Sequence, residues 1–282
     1  MRINKFHHCL MIAIGLVFCS CNVNSQENTK KDIASKISIN DFRIMIEEPL
    51  RDGIKALKRI ENQWQDGYAA PLVEIAYISR DRRLSGSIIK TLDEQTGQSL
   101  GYDLNDWYQW LWKTKPTLPS YYADLKSLLH GKIDPKFGGY FNSKETSKIN
   151  LTEVRWGGVV QDGIPPLRKP KMISAKEADY LEDSNIIFGL EVNGDARAYP
   201  KRILAWHEMF VDTVGNESVT GVYCTLCGSM ILYSNYINGK EYQLGTSGFL
   251  YRSNKLMFDQ KTQSLWNTLT ANLSLAILQM KI

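Results

Sequence analysis

The sequence predicts an α+β protein: an N-terminal region of antiparallel helices, then a β-rich region, with the C-terminus cut short. Three observations carry this. Apolar residues recur at helical spacing from Asp41 to about Leu129, the texture changes to strand period with Asn-Gly turns after residue 150, and the closing residues follow neither pattern.

Residues 1–20 precede both regions. Arg2 and Lys5 stand ahead of an apolar run from Cys9 to Cys19, which is short for a membrane span and reads as a secretory signal peptide. Phe18-Cys19-Ser20-Cys21 resembles a bacterial lipobox. That resemblance implies lipid on Cys21, an extracytoplasmic location and attachment to a membrane without a spanning helix; plain secretion with cleavage nearby is the alternative. Residues 21–40 are polar and read as a tether. Loss of Arg2 and Lys5 with the signal would leave 32 basic against 30 acidic side chains, so no nucleic-acid partner is expected.

Residues 41–135 carry the helical pattern. Leu50, Ile54, Leu57 and Trp64 form one stripe, Leu72, Ile75 and Ala76 a second, and Leu84, Ile88 and Leu92 a third. Breaks at Asp66-Gly67 and at residues 79–82 separate them. Thr96-Gly97 ends one helix, and Asp103 with Asp106 can cap the next, whose Trp107, Trp110 and Leu111 share a face. The stretch "TGQSLGYDLNDWYQWL" resembles the closing segment of HEAT-like helical repeats, which implies a surface for a protein partner. A helical cap on the second region fits the same residues. His130 reads as exposed helix or loop.

Residues 150–270 read as the β-rich region. Ile186 to Val192 is a strand, Asn193-Gly194 a tight hairpin turn and Ala196 to Tyr199 the return. Pro200 opens a short helix or turn through His207. Val219 to Tyr223 leads into Cys224, Met230 to Tyr236 leads away from Cys227, and Asn238-Gly239 turns the chain toward Glu241 to Leu244. Gly245 to Gly248 reads as a small-residue loop that a ligand or another backbone could approach; it lacks the lysine of a phosphate-binding loop. Residues 271–282 are apolar without period and read as a truncated or frameshifted tail.

The ordered motifs "DGIPPL" (162–167), "NGDARAYP" (193–200), "WHE" (206–208), "YCTLCGS" (223–229), "GTSGFLYRSNKLMFD" (245–259) and "TQSLW" (262–266) resemble domain-of-unknown-function family 3179. The resemblance spans about 160–270 and does not bring an activity with it. Thr225 departs from the proline expected between the family's cysteines, which should loosen the turn. Val211 stands for an asparagine before Asp212, and Gln260-Lys261 for an Asp-Arg-type continuation after Asp259.

Chemistry therefore rests on residue types. Cys224 and Cys227, at Cys-x-x-Cys spacing after a strand, can aim two thiolates at one cation, with His207 as third ligand; two sulfurs and an imidazole suit copper or zinc. Glu208, Asp212, Asp259 and Arg197 are candidates to support such a site from outside it, although an ion pair with Asp212 or Asp259 is the plainer role for Arg197. The same sulfurs can instead serve a thiol-disulfide oxidoreductase or a structural disulfide. Strand, not helix, is expected after the pair, so the helix N-terminus that activates such thiols elsewhere is missing. A third reading is a non-enzymatic surface scaffold.

Overall fold

The computed structural model describes residues 36–141, 147–270 and 273–275. The expected signal peptide, Cys21 and most of the tether lie outside these residues. The tether's last two residues, Ile39 and Asn40, already belong to the first helix, because Ser38 caps it: its hydroxyl accepts from the Asn40 N–H, and its own N–H donates to Asp41.

The helices are α1 (Ile39–Glu47), α2 (Leu50–Asn62), α3 (Ala69–Ile78), α4 (Arg82–Thr96), α5 (Leu104–Thr114) and α6 (Tyr122–Gly131). Their ends follow local chemistry. Asp81 and Asp103 cap α4 and α5 through the N–H groups of Arg83 and Asn105, both at 2.9 Å. Gly97 closes α4 at φ 68°, left-handed backbone that costs glycine nothing. Phe42, Ile60, Leu72, Ile75, Ile88, Leu92, Trp107 and Leu111 meet in one core with no exposed surface. None of the described helices is long and apolar enough to cross a membrane.

The β-rich region holds β1 (Val154–Trp156), β2 (Leu167–Arg168), β3 (Ile187–Val192), β4 (Asp195–Pro200), the helix α7 (Lys201–His207), β5 (Met209–Val214), β6 (Glu217–Cys224), β7 (Ser229–Ser234), β8 (Tyr236–Ile237), β9 (Lys240–Glu241), β10 (Leu244–Tyr251), β11 (Asn254–Asp259), β12 (Leu265–Asn267) and β13 (Leu273–Leu275). One sheet runs β1-β10-β11-β12-β13, antiparallel throughout. A second runs β2-β5-β6-β7, with β2 parallel to β5. Hairpins β3-β4 and β8-β9 complete the region. Asn193-Gly194 and Asn238-Gly239 make their turns with positive φ at both positions, as such two-residue loops demand. Met209 and Val222 of the second sheet pack on Tyr242, Leu244, Met257 and Trp266. Tyr199 stacks on Phe210 at 3.7 Å, and Gly221 lies under that ring, where a Cβ would come within 2.1 Å of it.

Two expectations are corrected. Gly245 to Gly248 is no loop: it lies in β10, Ser247 has no exposed surface, and its hydroxyl donates to the Leu256 carbonyl at 2.5 Å. A β-bulge between Thr246 and Leu250 accommodates the small residues in a strand. Within the stretch read as a patternless tail, β13 pairs with β12; the rest of 271–282 lies outside the described residues.

His130 is the third correction. It is wholly buried, between α6 and the first sheet, with its ring 5.0 Å from that of Phe249. Its Nδ1 lies 2.9 Å from the Lys126 carbonyl, which can only accept, so Nδ1 carries the proton and Nε2 faces Glu74 Oε2 at 3.6 Å. Glu74 pairs with buried Lys126 and accepts from the Tyr122 hydroxyl. Burial pushes the imidazole down to about 4 from 6.5, against the opposing pull of the Glu74 charge.

A depressed histidine adds stability that is complete above pH 6.5 and is lost as pH falls through 4. Denaturant unfolding at stepped pH is expected to show the parent losing on the order of 3 kcal/mol more across that window than His130→Gln, whose amide can still donate to the Lys126 carbonyl. Parallel curves for the two proteins would contradict this role.

Candidate functional site

Two junctions build the site. Helix α7 starts after Pro200, whose fixed φ suits a helix entry, and is pinned by fully buried Leu204. It stops at Glu208, which takes φ 54°, and β5 begins at once. The left-handed turn brings Glu208 against the end of β6, where the Tyr223 N–H donates to the Glu208 carbonyl at 2.9 Å.

The second junction is the turn from β6 to β7. Cys224 pairs with Ser229, leaving Thr225 to Gly228 as a four-residue loop. The N–H groups of Cys227 and Gly228 both donate to the Cys224 carbonyl, at 3.2 and 2.8 Å, and Gly228 takes φ 64°. This wraps the loop tightly enough to point both thiols at each other, with the sulfurs 2.8 Å apart. Both are free thiols; Cys224 is buried and Cys227 exposed. The Cys227 sulfur also lies 3.6 Å from the Ser253 carbonyl and 3.6 Å from Asn254 Oδ1, at the turn between β10 and β11.

Among the sequence-derived candidates, the fold brings Cys224 and Cys227 together, with Glu208 alongside. His207 Nδ1 donates to the Pro165 carbonyl at 2.8 Å, which leaves Nε2 as its free ring nitrogen. Among the described residues no group of three or more His, Cys, Asp or Glu side chains is arranged to hold a metal ion. The sulfur separation of 2.8 Å is neither the roughly 3.8 Å of two thiolates on a tetrahedral zinc nor the bond length of about 2.0 Å of a disulfide.

The other expected supports hold the fold elsewhere. Asp212 accepts from Arg197 at 2.7 Å and from the Tyr199 hydroxyl at 2.8 Å, and Arg197 also pairs with Asp195 at 2.9 Å. Asp259 accepts from the Thr262 N–H at 2.8 Å and the Gln243 N–H at 3.2 Å, holding the start of the β11-to-β12 turn. A cleft of about 960 Å³ lies beside Arg197, between the β3-β4 hairpin and residues 170–183, lined by Met172, Ile173 and Tyr180 among others. Neither cysteine lines it.

Sequence reasoning missed Lys255. Only 8% of its side chain is exposed, and its ammonium lies 2.8 Å from Glu208 Oε2. The Thr225 hydroxyl donates to Glu208 Oε1 at 2.6 Å, so the residue expected to loosen the cysteine turn instead ties it down. A signal for Lys255 was present: it is the one cation in "NKLMFD", a strand whose every residue is buried, and a buried ammonium demands a carboxylate.

Electrostatics distinguish the two thiols. Burial first, then the hydrogen bond with Cys224 and that residue's charge, push the Cys227 thiol up to about 11. Strand β7 follows the pair, so no helix N-terminus offsets this.

Residues 161–275 match the model of a family described as a protein of unknown function (DUF3179). The match covers the β-rich region from β2 to β13, leaving out β1 and the described helices α1 to α6. No curated protein and no solved structure matches the chain.

The Arg197 cluster makes a separable claim. Arg197→Met leaves the Asp212 carboxylate, 6% exposed, without its cation and is expected to cost roughly 3 kcal/mol of unfolding free energy, with part recovered when Asp212→Asn is added. Denaturant titration of the two variants checks this. A loss no larger than that of Arg43→Met, which breaks a surface pair with Glu47, would overturn it.

Proposed function

We propose that Cys224 and Cys227 form a dithiol/disulfide couple that exchanges with thiols of a partner at the surface of the β-rich region. The observation that carries this is the pairing of one buried and one exposed sulfur at 2.8 Å across a turn fixed by its own backbone hydrogen bonds. A single sulfur is then open to attack, and its neighbour is positioned to leave or return.

The step balances without a cofactor. With the pair oxidised, a partner thiolate attacks the exposed Cys227 sulfur; the Cys224–Cys227 bond breaks, and its electrons leave on Cys224. A second partner thiolate then attacks its own sulfur in the mixed disulfide, releasing Cys227, which takes up a proton because its thiol is pushed up to about 11. The partner is oxidised to a disulfide, the protein pair is reduced to two thiols, and a disulfide-bearing thiol compound reverses both steps.

Copper or zinc on Cys224, Cys227 and His207 is the less favoured reading on these grounds. The composition of residues 1–40 supports placing this activity outside the cytoplasm on a lipid-anchored chain, through Cys21, where disulfides persist. The partner on this reading is a protein or small molecule bearing paired thiols.

Incubation with oxidised glutathione followed by intact-mass measurement tests the assignment. Cys224→Ser is expected to accumulate a mixed disulfide on Cys227, while Cys227→Ser, keeping only the buried sulfur, is modified at least tenfold more slowly. Equal modification of both variants would count against it. So would stoichiometric zinc or copper in the purified parent that is lost alike in Cys224→Ser and His207→Ala.

A further inference from the structure

Lys255 is buried in the first sheet, yet its ammonium emerges beside the cysteine turn of the second. Glu208 is its carboxylate partner, at 2.8 Å, and that carboxylate is shared with Thr225, the residue next to Cys224. Cys224 itself is 2% exposed, so water contributes little to stabilising a charge on it. From this geometry, and resting on the redox reading of the pair, we infer that Lys255 is the charge partner of Cys224, stabilising that sulfur as the thiolate released when the disulfide is attacked at Cys227, with Glu208 setting how much of the cation's field the sulfur feels.

Burial lowers the Lys255 ammonium from its ordinary pKa, while the Glu208 charge and hydrogen bond and, more weakly, a charge on Cys224 hold it up. Stabilising the thiolate stabilises the reduced pair and eases departure of the leaving sulfur. Lys255 thus supplies from a neighbouring strand what other dithiol proteins draw from a helix N-terminus. Thr225 fixes the geometry, since its hydroxyl holds Glu208 to the turn and Lys255 comes with it.

Equilibration of the purified full-length chain against a series of reduced-to-oxidised glutathione ratios, read by thiol trapping and intact mass, tests this directly. Lys255→Met is expected to shift the midpoint about tenfold toward the disulfide, equivalent to about 30 mV, and to slow reduction by excess thiol severalfold. Lys255→Arg, which keeps the charge, should stay within about twofold of the parent. Glu208→Gln, which frees the cation from its carboxylate, should shift the midpoint the opposite way, toward the dithiol. A merely structural role would move Lys255→Met and Glu208→Gln in the same direction, and that result overturns the inference. So does an unchanged midpoint in Lys255→Met when the parent cycles normally. If the parent forms no Cys224–Cys227 disulfide at any ratio, the redox reading itself falls and this inference falls with it.

Discussion

The Glu208 carboxylate is the constraint on which the β-rich region's arrangement turns. One oxygen holds the buried Lys255 ammonium of β11, the other holds the Thr225 hydroxyl in the β6-to-β7 turn, and the backbone of the same residue ends α7 in a left-handed conformation. Two sheets, a helix end and the cysteine loop are therefore joined at one side chain. The Lys255 link is polar and largely buried, so removing the carboxylate leaves an ammonium without its counter-charge. Apolar packing of Met209 and Val222 on Met257 and Trp266 brings the sheets together, but it does not by itself fix where the cysteine turn points.

That arrangement gives the two sulfurs different surroundings. Cys227 is open to solvent on one side, and its other contacts are acceptors, the Ser253 carbonyl and the Asn254 side chain, which favour a proton on sulfur. Cys224 is enclosed, with a cation nearby. On the proposed redox reading, the inner sulfur is the one that leaves. A pair capping a helix has the opposite order, with its outer sulfur activated by the backbone dipole. The difference follows from the strand that succeeds the loop; on the proposed reading, the oxidised pair is attacked at its exposed atom.

Features set by neighbouring residues were legible in the sequence. Gly97 ends α4 and Asp103 caps α5 as read, and Asn193-Gly194 and Asn238-Gly239 turn their hairpins, because each depends on residues within one turn. The α+β division followed from periodicity alone. Features set across the fold were not legible. Small residues suggested a loop at Gly245 to Gly248, yet neighbouring strands enclose it, and nothing local marks His130 as the buried partner of a glutamate 56 positions earlier. At the site, Cys-x-x-Cys spacing announced that the sulfurs would meet. It could not say that His207 would turn to the Pro165 carbonyl, or that Thr225 would bond Glu208.

The most direct measurement is the Cβ chemical shift of Cys224 and of Cys227 in the isotopically labelled chain, followed from reducing to oxidising conditions. If the two sulfurs are one couple, both shifts move together from thiol to disulfide values with a single midpoint and return on reduction. If either cysteine keeps its thiol shift under full oxidation, or both respond only when zinc or copper is added, the couple does not exist.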